Sequence, residues 1–297
     1  LLSAALPAHG GDLADAMRAV CQRLRGAFTL VAVEAAVPDL VVGARRNSPL
    51  VVGRGDGENF LASDVSAFIA HTRRAIELGQ DQVVELRADS IKVTDFAGAE
   101  VKVNEYEVTW DASAAEKGGY DSFMLKEIAE QPKAVADTLL GRIKDRQIAL
   151  DEMKFTAEEL RDVDKIIITA CGTAYHSGLI AKYAIEHWTR VPCEVELASE
   201  FRYRDPILNP RTLVLAISQS GETMDTLMAI RYAKEQGSRV LTICNTQGST
   251  MPRESDGVIY THAGPEVAVA STKAFLTQVV AVYLFAIYLA QVRGSDV

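Results

Sequence analysis

Residues 218–223, Ser-Gln-Ser-Gly-Glu-Thr, gather hydrogen-bonding side chains around a glycine. The hydroxyls of Ser218, Ser220 and Thr223 and the amide of Gln219 can donate hydrogen bonds to a ligand. Gly221 has no Cβ, so the backbone can approach a ligand closely there. The segment also opens a predicted helix, whose N-terminus offers unpaired N–H groups and about half a positive charge. These groups together predict a phosphate site.

The same residue types also form ordinary turns, so a second interpretation of this segment stays open. Serine and threonine are favoured both at helix N-caps and in turns. A single Ser-x-Ser-Gly-x-Thr pattern is compatible with a cap and a turn that bind nothing. Its place in the fold must therefore decide between the two interpretations.

Two further segments carry polar groups at predicted strand-to-helix junctions. Residues 171–177, Cys-Gly-Thr-Ala-Tyr-His-Ser, contain Thr173 and Ala174. Residues 266–273, Glu-Val-Ala-Val-Ala-Ser-Thr-Lys, contain Val269 and Ser271. The Val269 backbone and the Ser271 side chain can form one wall of a sugar pocket, although Ser271 also fits a simple N-cap.

Strands and helices alternate after residue 165. The continuously apolar strands are typical of a buried parallel sheet. The predicted strands are 165–170, 194–197, 212–217, 239–244 and 257–261, and the predicted helices are 174–189, 223–236 and 272–292. This alternation predicts an α/β fold with a flavodoxin-like, doubly wound, five-stranded parallel sheet in the order 2-1-3-4-5. In such sheets ligands bind where the winding reverses, here between the loops 171–177 and 218–223. The phosphate interpretation is therefore favoured.

The first hundred residues predict a different, α+β architecture. A one-sided helix is expected over 11–25, followed by short strands separated by turn residues. The predicted strands are 28–33, 40–42, 50–52, 59–62, 83–86 and 91–94. Such short spacings favour antiparallel hairpins. A polar linker is predicted at 111–120, and further helices at 123–140 and 157–163.

Composition narrows the possible partners. The 297 residues carry a net charge of −9, which argues against nucleic acid or an anionic membrane as the main partner. The apolar run 279–290 is shorter than the roughly 20 residues of a membrane span and predicts a core helix. Four scattered cysteines indicate neither a zinc site nor a disulfide framework and suit a reducing cytoplasm.

Several motifs resemble the glutamine–fructose-6-phosphate aminotransferase family. They are CGTAYHSG at 171–178, ASEFRYRDP at 198–206, AISQSGET at 216–223, ICN at 243–245, RESD at 253–256 and EVAVASTKAF at 266–275, with MLKEIAEQP at 124–132 upstream. Three segments of the first half resemble the later part of its class II glutaminase domain: RLRGAFTLV at 23–31, ARRNSPLVVG at 44–53 and ENFLASD at 58–64. The resemblance implies a division into 1–107 (glutaminase part), 108–157 (linker and helices) and 158–297 (first SIS, or sugar-isomerase, domain).

The resemblance also implies a set of substrate contacts. Phosphate contacts fall on Ser218, Gln219, Ser220 and Thr223, and sugar-hydroxyl contacts on Thr173, the Val269 backbone and Ser271. The family often has serine at the position of Ala174, so only the backbone is expected to contribute there. The implied ligands are fructose 6-phosphate, glucosamine 6-phosphate and glucose 6-phosphate, with no cofactor and no metal. A cytoplasmic homodimer is expected, and glutamine is expected to bind only in the full-length enzyme.

The chain departs from the family pattern at both ends. The glutaminase nucleophile is an N-terminal cysteine, whereas residue 1 is Leu and Cys21 lies within a predicted helix. The family's second SIS domain and tail, which supply the catalytic lysine, glutamate and histidine, are not found in these residues. The prediction is a fragment that binds the sugar phosphate without either chemical step.

Two alternatives are a phosphosugar-sensing regulator and an independent single-SIS isomerase, in which Glu222 or Glu266 would be the only well-placed base.

Overall fold

The computed structural model describes residues 1–108, 117–268, 270–295 and 297. The chain divides into two compact units, Leu1–Ser113 and Ala114–Val297, which are described separately. Most of the predicted linker, residues 111–116, lies outside the described residues.

The first unit combines short helices with two antiparallel sheets, which confirms the α+β prediction. Its helices are α1 (Leu2–Ala5) and α2 (Leu13–Arg23), with 3-10 turns at Leu6–His9 and Val65–Ala67. Its strands are β1 (Phe28–Glu34), β2 (Val37–Arg46), β3 (Val51–Arg54), β4 (Asn59–Ala62), β5 (Arg74–Glu77), β6 (Gln82–Leu86), β7 (Ile91–Asp95) and β8 (Glu105–Glu107). The strand orders are β1-β2-β6-β7 and β4-β3-β5-β8.

Strands β5 and β8 are absent from the sequence prediction, for a physical reason. Arg74–Glu77 has only two apolar residues, between charged ends, and Glu105–Glu107 is exposed at every position. Neither segment has the apolar alternation that marks a half-buried strand. Pairing with β3 places β5 in the sheet, and β8 then pairs with β5. Tertiary contacts therefore define both strands.

The second unit is an α/β layer structure around a parallel sheet. Its helices are α3 (Phe123–Leu139), α4 (Ala157–Asp162), α5 (Gly172–Thr189), α6 (Ala198–Phe201), α7 (Met224–Glu235), α8 (Thr250–Glu254) and α9 (Lys273–Val292), with a 3-10 turn at Asp151–Met153. A small hairpin joins β9 (Ile143–Lys144) and β10 (Gln147–Ile148), and the main sheet contains β11 (Lys165–Ala170), β12 (Cys193–Leu197), β13 (Thr212–Ser218), β14 (Arg239–Cys244) and β15 (Gly257–Tyr260).

The main sheet has the predicted order, β12-β11-β13-β14-β15, and all of its pairings are parallel. Side chains of β11 alternate between its two faces. Ile166 and Ile168 join the core beneath α5 and α9, whereas Ile167 joins the core beneath α7. Every residue of β13 is buried. Helices therefore cover both faces of the sheet, and the winding reverses between β11 and β13 as expected.

Helix α9 is the apolar helix predicted from the sequence. By length and composition alone it could cross a membrane, with half of its apolar window buried. It packs against α5 and α3, and Phe285 and Leu289 belong to the main core of the second unit. These contacts account for its apolar composition as that of a core helix.

A matched pair of leucine substitutions tests this role of α9. Leu289 is 0% exposed in the core, whereas Leu140, just after α3, is 80% exposed. Leu289→Ala should lower the free energy of unfolding by about 2–5 kcal/mol because it leaves a cavity. Leu140→Ala should change it by less than about 0.5 kcal/mol. Urea unfolding read by hydrogen exchange of β13 amides measures both, and equal effects would contradict the assignment of α9 to the core.

Candidate functional site

The turn between β13 and α7 orients its serine hydroxyls by giving them backbone N–H partners. The N–H of Gly221 donates to Ser218 Oγ at 3.0 Å, and the N–H of Glu222 donates to Ser220 Oγ at 3.2 Å. A hydroxyl has one hydrogen to donate and two acceptor sites. Ser220 therefore keeps its O–H hydrogen available for a further acceptor. Ser218, which is 2% exposed, shares a hydrogen bond with Thr223 in which either hydroxyl can be the donor, so this pair keeps one free hydrogen.

Thr223 occupies the N-cap position of α7 but does not cap it. Its side chain makes no capping bond to the first turn of the helix and lies 3.2 Å from Ser218 Oγ. The first N–H groups of α7 are thus not satisfied by the residue best placed to do so. The interpretation of the motif as a simple cap loses its main support.

Gly221 is required by the shape of this turn. Its φ is +68°, and a Cβ added there would lie 2.0 Å from Ser249 Oγ and 2.8 Å from Cys244 Sγ. Residues with a Cβ are disfavoured in this left-handed region. The glycine therefore lets the turn fold down against the neighbouring loop after β14.

Asn245, which follows β14, links that loop to its neighbours on both sides. The carbonyl oxygen of Gln219 accepts hydrogen bonds from the N–H groups of Asn245 and Thr246, both at 3.2 Å. The side-chain oxygen of Asn245 accepts from Thr261 Oγ1 at 2.9 Å and from the N–H of Ala263 at 2.8 Å. The loops after three neighbouring strands, β13, β14 and β15, are therefore held together at the carboxyl edge of the sheet.

The β11–α5 junction places Thr173 and Ala174 differently. Thr173 is exposed in the first turn of α5, whereas Ala174 is 7% exposed and packs in the main core. The methyl group of Ala174 therefore points away from any ligand, and only its backbone can contribute. Cys171, at the N-cap of α5, lies 3.8 Å from Thr226 Oγ1 on α7. This contact joins the start of α5 to the first turn of α7.

In the β15–α9 loop (residues 261–272), the side chain of Glu266 reaches the start of α9. It accepts hydrogen bonds from the N–H groups of Thr272 at 2.8 Å and Ala274 at 3.2 Å, and from Ser271 Oγ at 3.1 Å. A carboxylate is favoured at a helix N-terminus by the local dipole. Ser271 is therefore not the N-cap that one interpretation predicted, because Thr272 holds that position. Val269 lies outside the described residues.

Helix α3 contributes buried charges to the same region, which the sequence motifs did not reveal. Glu127 Oε1 accepts hydrogen bonds from the N–H groups of Val267 at 2.6 Å and Ala268 at 3.1 Å. Lys273 Nζ lies 2.7 Å from Glu130 Oε2. In the sequence, residues 126–132 (KEIAEQP) supported the family resemblance but suggested no role for Glu127. A glutamate in a helix is normally interpreted as part of a solvated face.

The two carboxylates considered as possible bases are both engaged by backbone. Glu222 Oε1 accepts a hydrogen bond from the N–H of Thr250 at 2.7 Å, and Glu266 is held by the start of α9 as described. Glu222 Oε2 is buried without a hydrogen-bond partner among the described residues. Among the described residues, no cluster of three or more His, Cys, Asp or Glu side chains could hold a metal ion.

Comparisons with known proteins identify the fold of the second unit. Residues 159–288 match the family model of the SIS domain. The chain is 75% identical to the glutamine–fructose-6-phosphate aminotransferase [isomerizing] of Streptomyces coelicolor over 96% of its own length and 46% of that protein. The corresponding protein of Mycolicibacterium paratuberculosis is 63% identical over 97% of the chain and 47% of its own length.

A solved structure agrees with these matches. The C-terminal domain of glucosamine-fructose-6-phosphate aminotransferase from Francisella tularensis is 47% identical, with a TM-score of 0.59 over 61% of this chain and 52% of that chain. The second unit contains an SIS domain. Over nearly all of its own length the chain is similar to glutamine–fructose-6-phosphate aminotransferases, and it spans about half the length of the curated relatives it matches.

Two glycines in the left-handed region test the shape of the β13–α7 turn. Gly237, just beyond α7, has φ +82° and open space around it, so Gly237→Ala meets only backbone strain. Gly221→Ala adds a clash with Ser249 and should destabilise the second unit by about 1–3 kcal/mol more, as overpacking does. Urea unfolding of the two variants measures the difference. Similar losses for both would contradict the tight approach of the two loops.

Proposed function

We propose that the β13–α7 turn anchors the phosphate of fructose 6-phosphate. The proposal is carried by one observation: backbone N–H groups orient Ser218 and Ser220, which leaves the Ser220 hydroxyl hydrogen and one hydrogen of the Ser218–Thr223 pair free to donate. The uncapped first turn of α7 adds further donors and a favourable dipole. The Gln219 amide and the Thr223 hydroxyl complete the proposed set. Glucosamine 6-phosphate and glucose 6-phosphate carry the same anchoring group.

The sugar end of the ligand is proposed to lie between two other loops. Thr173 and the backbone of Ala174 contribute from the start of α5, and the Val269 backbone and Ser271 contribute from the β15–α9 loop. Support comes from the topology, because the strands before these loops end at the same edge of the sheet. Ser271 Oγ is already fixed by Glu266, so its position is set before a sugar arrives.

The proposed role of these 297 residues within the family reaction is to bind the sugar phosphate. The whole reaction converts fructose 6-phosphate and glutamine to glucosamine 6-phosphate and glutamate. The chain assayed by itself should neither release ammonia from glutamine nor form glucosamine 6-phosphate. Robust activity in either assay would contradict this restriction to binding.

Several predictions about domain organisation, assembly and location belong to the same proposal. The division into 1–107, 108–157 and 158–297 stays a prediction, as does the assignment of the first part to a glutaminase domain. A homodimer and a cytoplasmic location are also proposed, and glutamine is expected to bind only in a longer protein. The described cysteines are all free thiols, which supports a reducing compartment.

The competing function is a phosphosugar-sensing regulator, which would use the same pocket. The first unit offers two antiparallel sheets and an acidic overall charge rather than a basic helical DNA-binding surface. An independent isomerase is also disfavoured, because Glu222 and Glu266 are bound by backbone N–H groups.

Substitutions of two N-cap threonines, Thr223 and Thr156, distinguish a role in ligand binding from a role in helix capping. Thr223→Val should weaken fructose 6-phosphate binding about ten- to a hundredfold, because one hydrogen bond to a charged group contributes about 1.5–3 kcal/mol. It should cost little stability, since Thr223 makes no capping bond. Calorimetric titration of the sugar phosphate and urea unfolding give the two quantities.

Thr156 provides the matched control, since it caps α4 in a complete capping box with Glu159. Thr156→Val should lower stability by about 0.5–2 kcal/mol and leave ligand affinity unchanged. Unchanged affinity in Thr223→Val, with the control behaving as expected, would remove Thr223 from the site.

Thiol labelling offers an independent test of the location. Burial raises the pKa of Cys21 and Cys244 to about 11 and that of Cys193 to about 12. At pH 8, well below these values, the three thiols stay protonated and unreactive, because only the thiolate attacks. Cys171 is partly exposed beside the candidate site, so iodoacetamide should modify it first.

Fructose 6-phosphate should slow the modification of Cys171 severalfold, whereas fructose without phosphate should not. Peptide mass spectrometry follows the rate at each cysteine. Labelling of Cys171 at the same rate with and without saturating sugar phosphate would place the ligand elsewhere.

A further inference from the structure

Glu127 is a buried carboxylate whose contacts fall on the sugar side of the candidate site. We infer that Glu127 is a positioning residue that holds the β15–α9 loop in the shape needed to contact the hydroxyl groups of the sugar. The inference rests on the proposed function, in which that loop carries the sugar contacts. Glu127 itself touches no ligand in this account.

The contacts of Glu127 are specific to that loop. The residue is 1% exposed on α3, and its Oε1 accepts hydrogen bonds from two successive backbone N–H groups, those of Val267 and Ala268. Hydrogen bonds to an ionised acceptor are shorter and stronger than neutral ones. One carboxylate oxygen thus fixes the loop across 140 residues of sequence.

Buried charges around Glu127 fix α3 against the start of α9. Lys273 is 3% exposed and lies 2.7 Å from Glu130, which also lies 3.6 Å from Lys126. Removing one partner from such a network is costly, because the remaining charge is left buried. The helix that carries Glu127 is therefore a firm support for the loop.

Glu266 secures the other side of the same loop. Glu127 binds residues 267 and 268, whereas Glu266 binds Ser271, Thr272 and Ala274. Ser271, one of the proposed sugar contacts, is itself held at the second of these attachment points. A backbone segment held at both ends presents its groups with little conformational freedom to lose, and such preorganisation raises affinity.

The β13–α7 turn, the proposed phosphate site, is held by different contacts. Gln219 is bonded by Asn245 and Thr246, and Gly221 lies against Ser249. Loss of the Glu127 contacts should therefore loosen the sugar side of the site and leave the phosphate side intact. A residue with a merely structural role would weaken both sides together.

The two carboxylate oxygens of Glu127 differ in their contacts, and this difference determines the choice of variants. Among the described residues Oε2 is buried without a hydrogen-bond partner, whereas Oε1 accepts both bonds. Glu127→Gln keeps an oxygen that can accept the same two bonds and nearly the same volume. Glu127→Ala removes the acceptor altogether. Asp137→Ala is the control, because it removes a carboxylate of the same helix that bonds Lys133 at the surface.

The experiment titrates fructose 6-phosphate and inorganic phosphate into the full 297-residue chain and follows backbone amides by NMR. Glu127→Ala should bind fructose 6-phosphate about tenfold more weakly, roughly the loss of one ligand hydrogen bond. Inorganic phosphate should bind within about twofold of the unaltered chain, because distant sites act independently. Glu127→Gln should restore most of the sugar-phosphate affinity, and Asp137→Ala should behave as the unaltered chain.

Hydrogen exchange of the Val267 and Ala268 amides gives a second measurement that needs no ligand. These amides should exchange more than about tenfold faster in Glu127→Ala, while amides of residues 218–223 keep their rates, because local opening is not uniform across a fold. Unchanged exchange at Val267 and Ala268, or an equal loss of both ligands, would overturn the inference.

If the unaltered chain binds neither ligand, the proposed function fails, and exchange alone still decides whether Glu127 holds the loop. If Glu127→Ala does not fold, affinity and hydrogen exchange are measured on Glu127→Gln instead. Because Gln keeps one acceptor oxygen, both quantities should stay close to those of the unaltered chain. A large change in both would overturn the acceptor role of Glu127.

Discussion

The left-handed turn at Gly221 is the constraint on which the candidate site depends. Because glycine has no Cβ to clash with Ser249, the chain can turn sharply between β13 and α7. That turn directs the Gly221 N–H at Ser218 Oγ and the Glu222 N–H at Ser220 Oγ. A wider turn would separate these groups, and the serines would then be free to adopt other rotamers. The hydroxyl orientation is thus a consequence of one backbone conformation.

Side chains, rather than the main sheet, determine how the loops around this turn are joined. The sheet brings the ends of β11, β13, β14 and β15 to one edge. The side chains of Asn245, Glu266 and Glu127 then bond the loop between β15 and α9, while the backbone N–H of Asn245 donates to the carbonyl oxygen of Gln219. Each of these side chains satisfies backbone N–H groups that regular structure leaves unpaired at the ends of strands and helices. The hydrogen bonds that order the loops therefore also remove the penalty of leaving backbone N–H groups unpaired.

The sequence predicted the sheet of the second unit well, because its signal is local. Continuous apolar runs located all five strands within one residue, and the order followed from the alternation with helices. The turn at 218–223 was also predictable, since composition and topology point to the same edge. Glu127 was not, because its partners lie 140 residues away and a glutamate in a helix normally faces solvent. Strands β5 and β8 were missed for the related reason that their partners, not their residues, define them.

In the proposed binding mode the sugar side of the site matters, because the contacts described for the β13–α7 turn include no cation. The contacts described for Ser218, Ser220 and Thr223 join hydroxyls and backbone N–H groups, while Lys273, at the start of α9, is buried against Glu130. A turn of neutral donors and a helix dipole can bind any phosphate monoester, and neither group distinguishes one sugar from another. Discrimination between sugars must then come from the protein groups that contact the sugar hydroxyls. These groups need fixed positions, because a misplaced donor leaves a buried polar group unpaired. With a net charge of −9 the chain offers no long-range attraction for the proposed sugar phosphate, so the proposal assigns both affinity and selectivity to fixed short-range contacts.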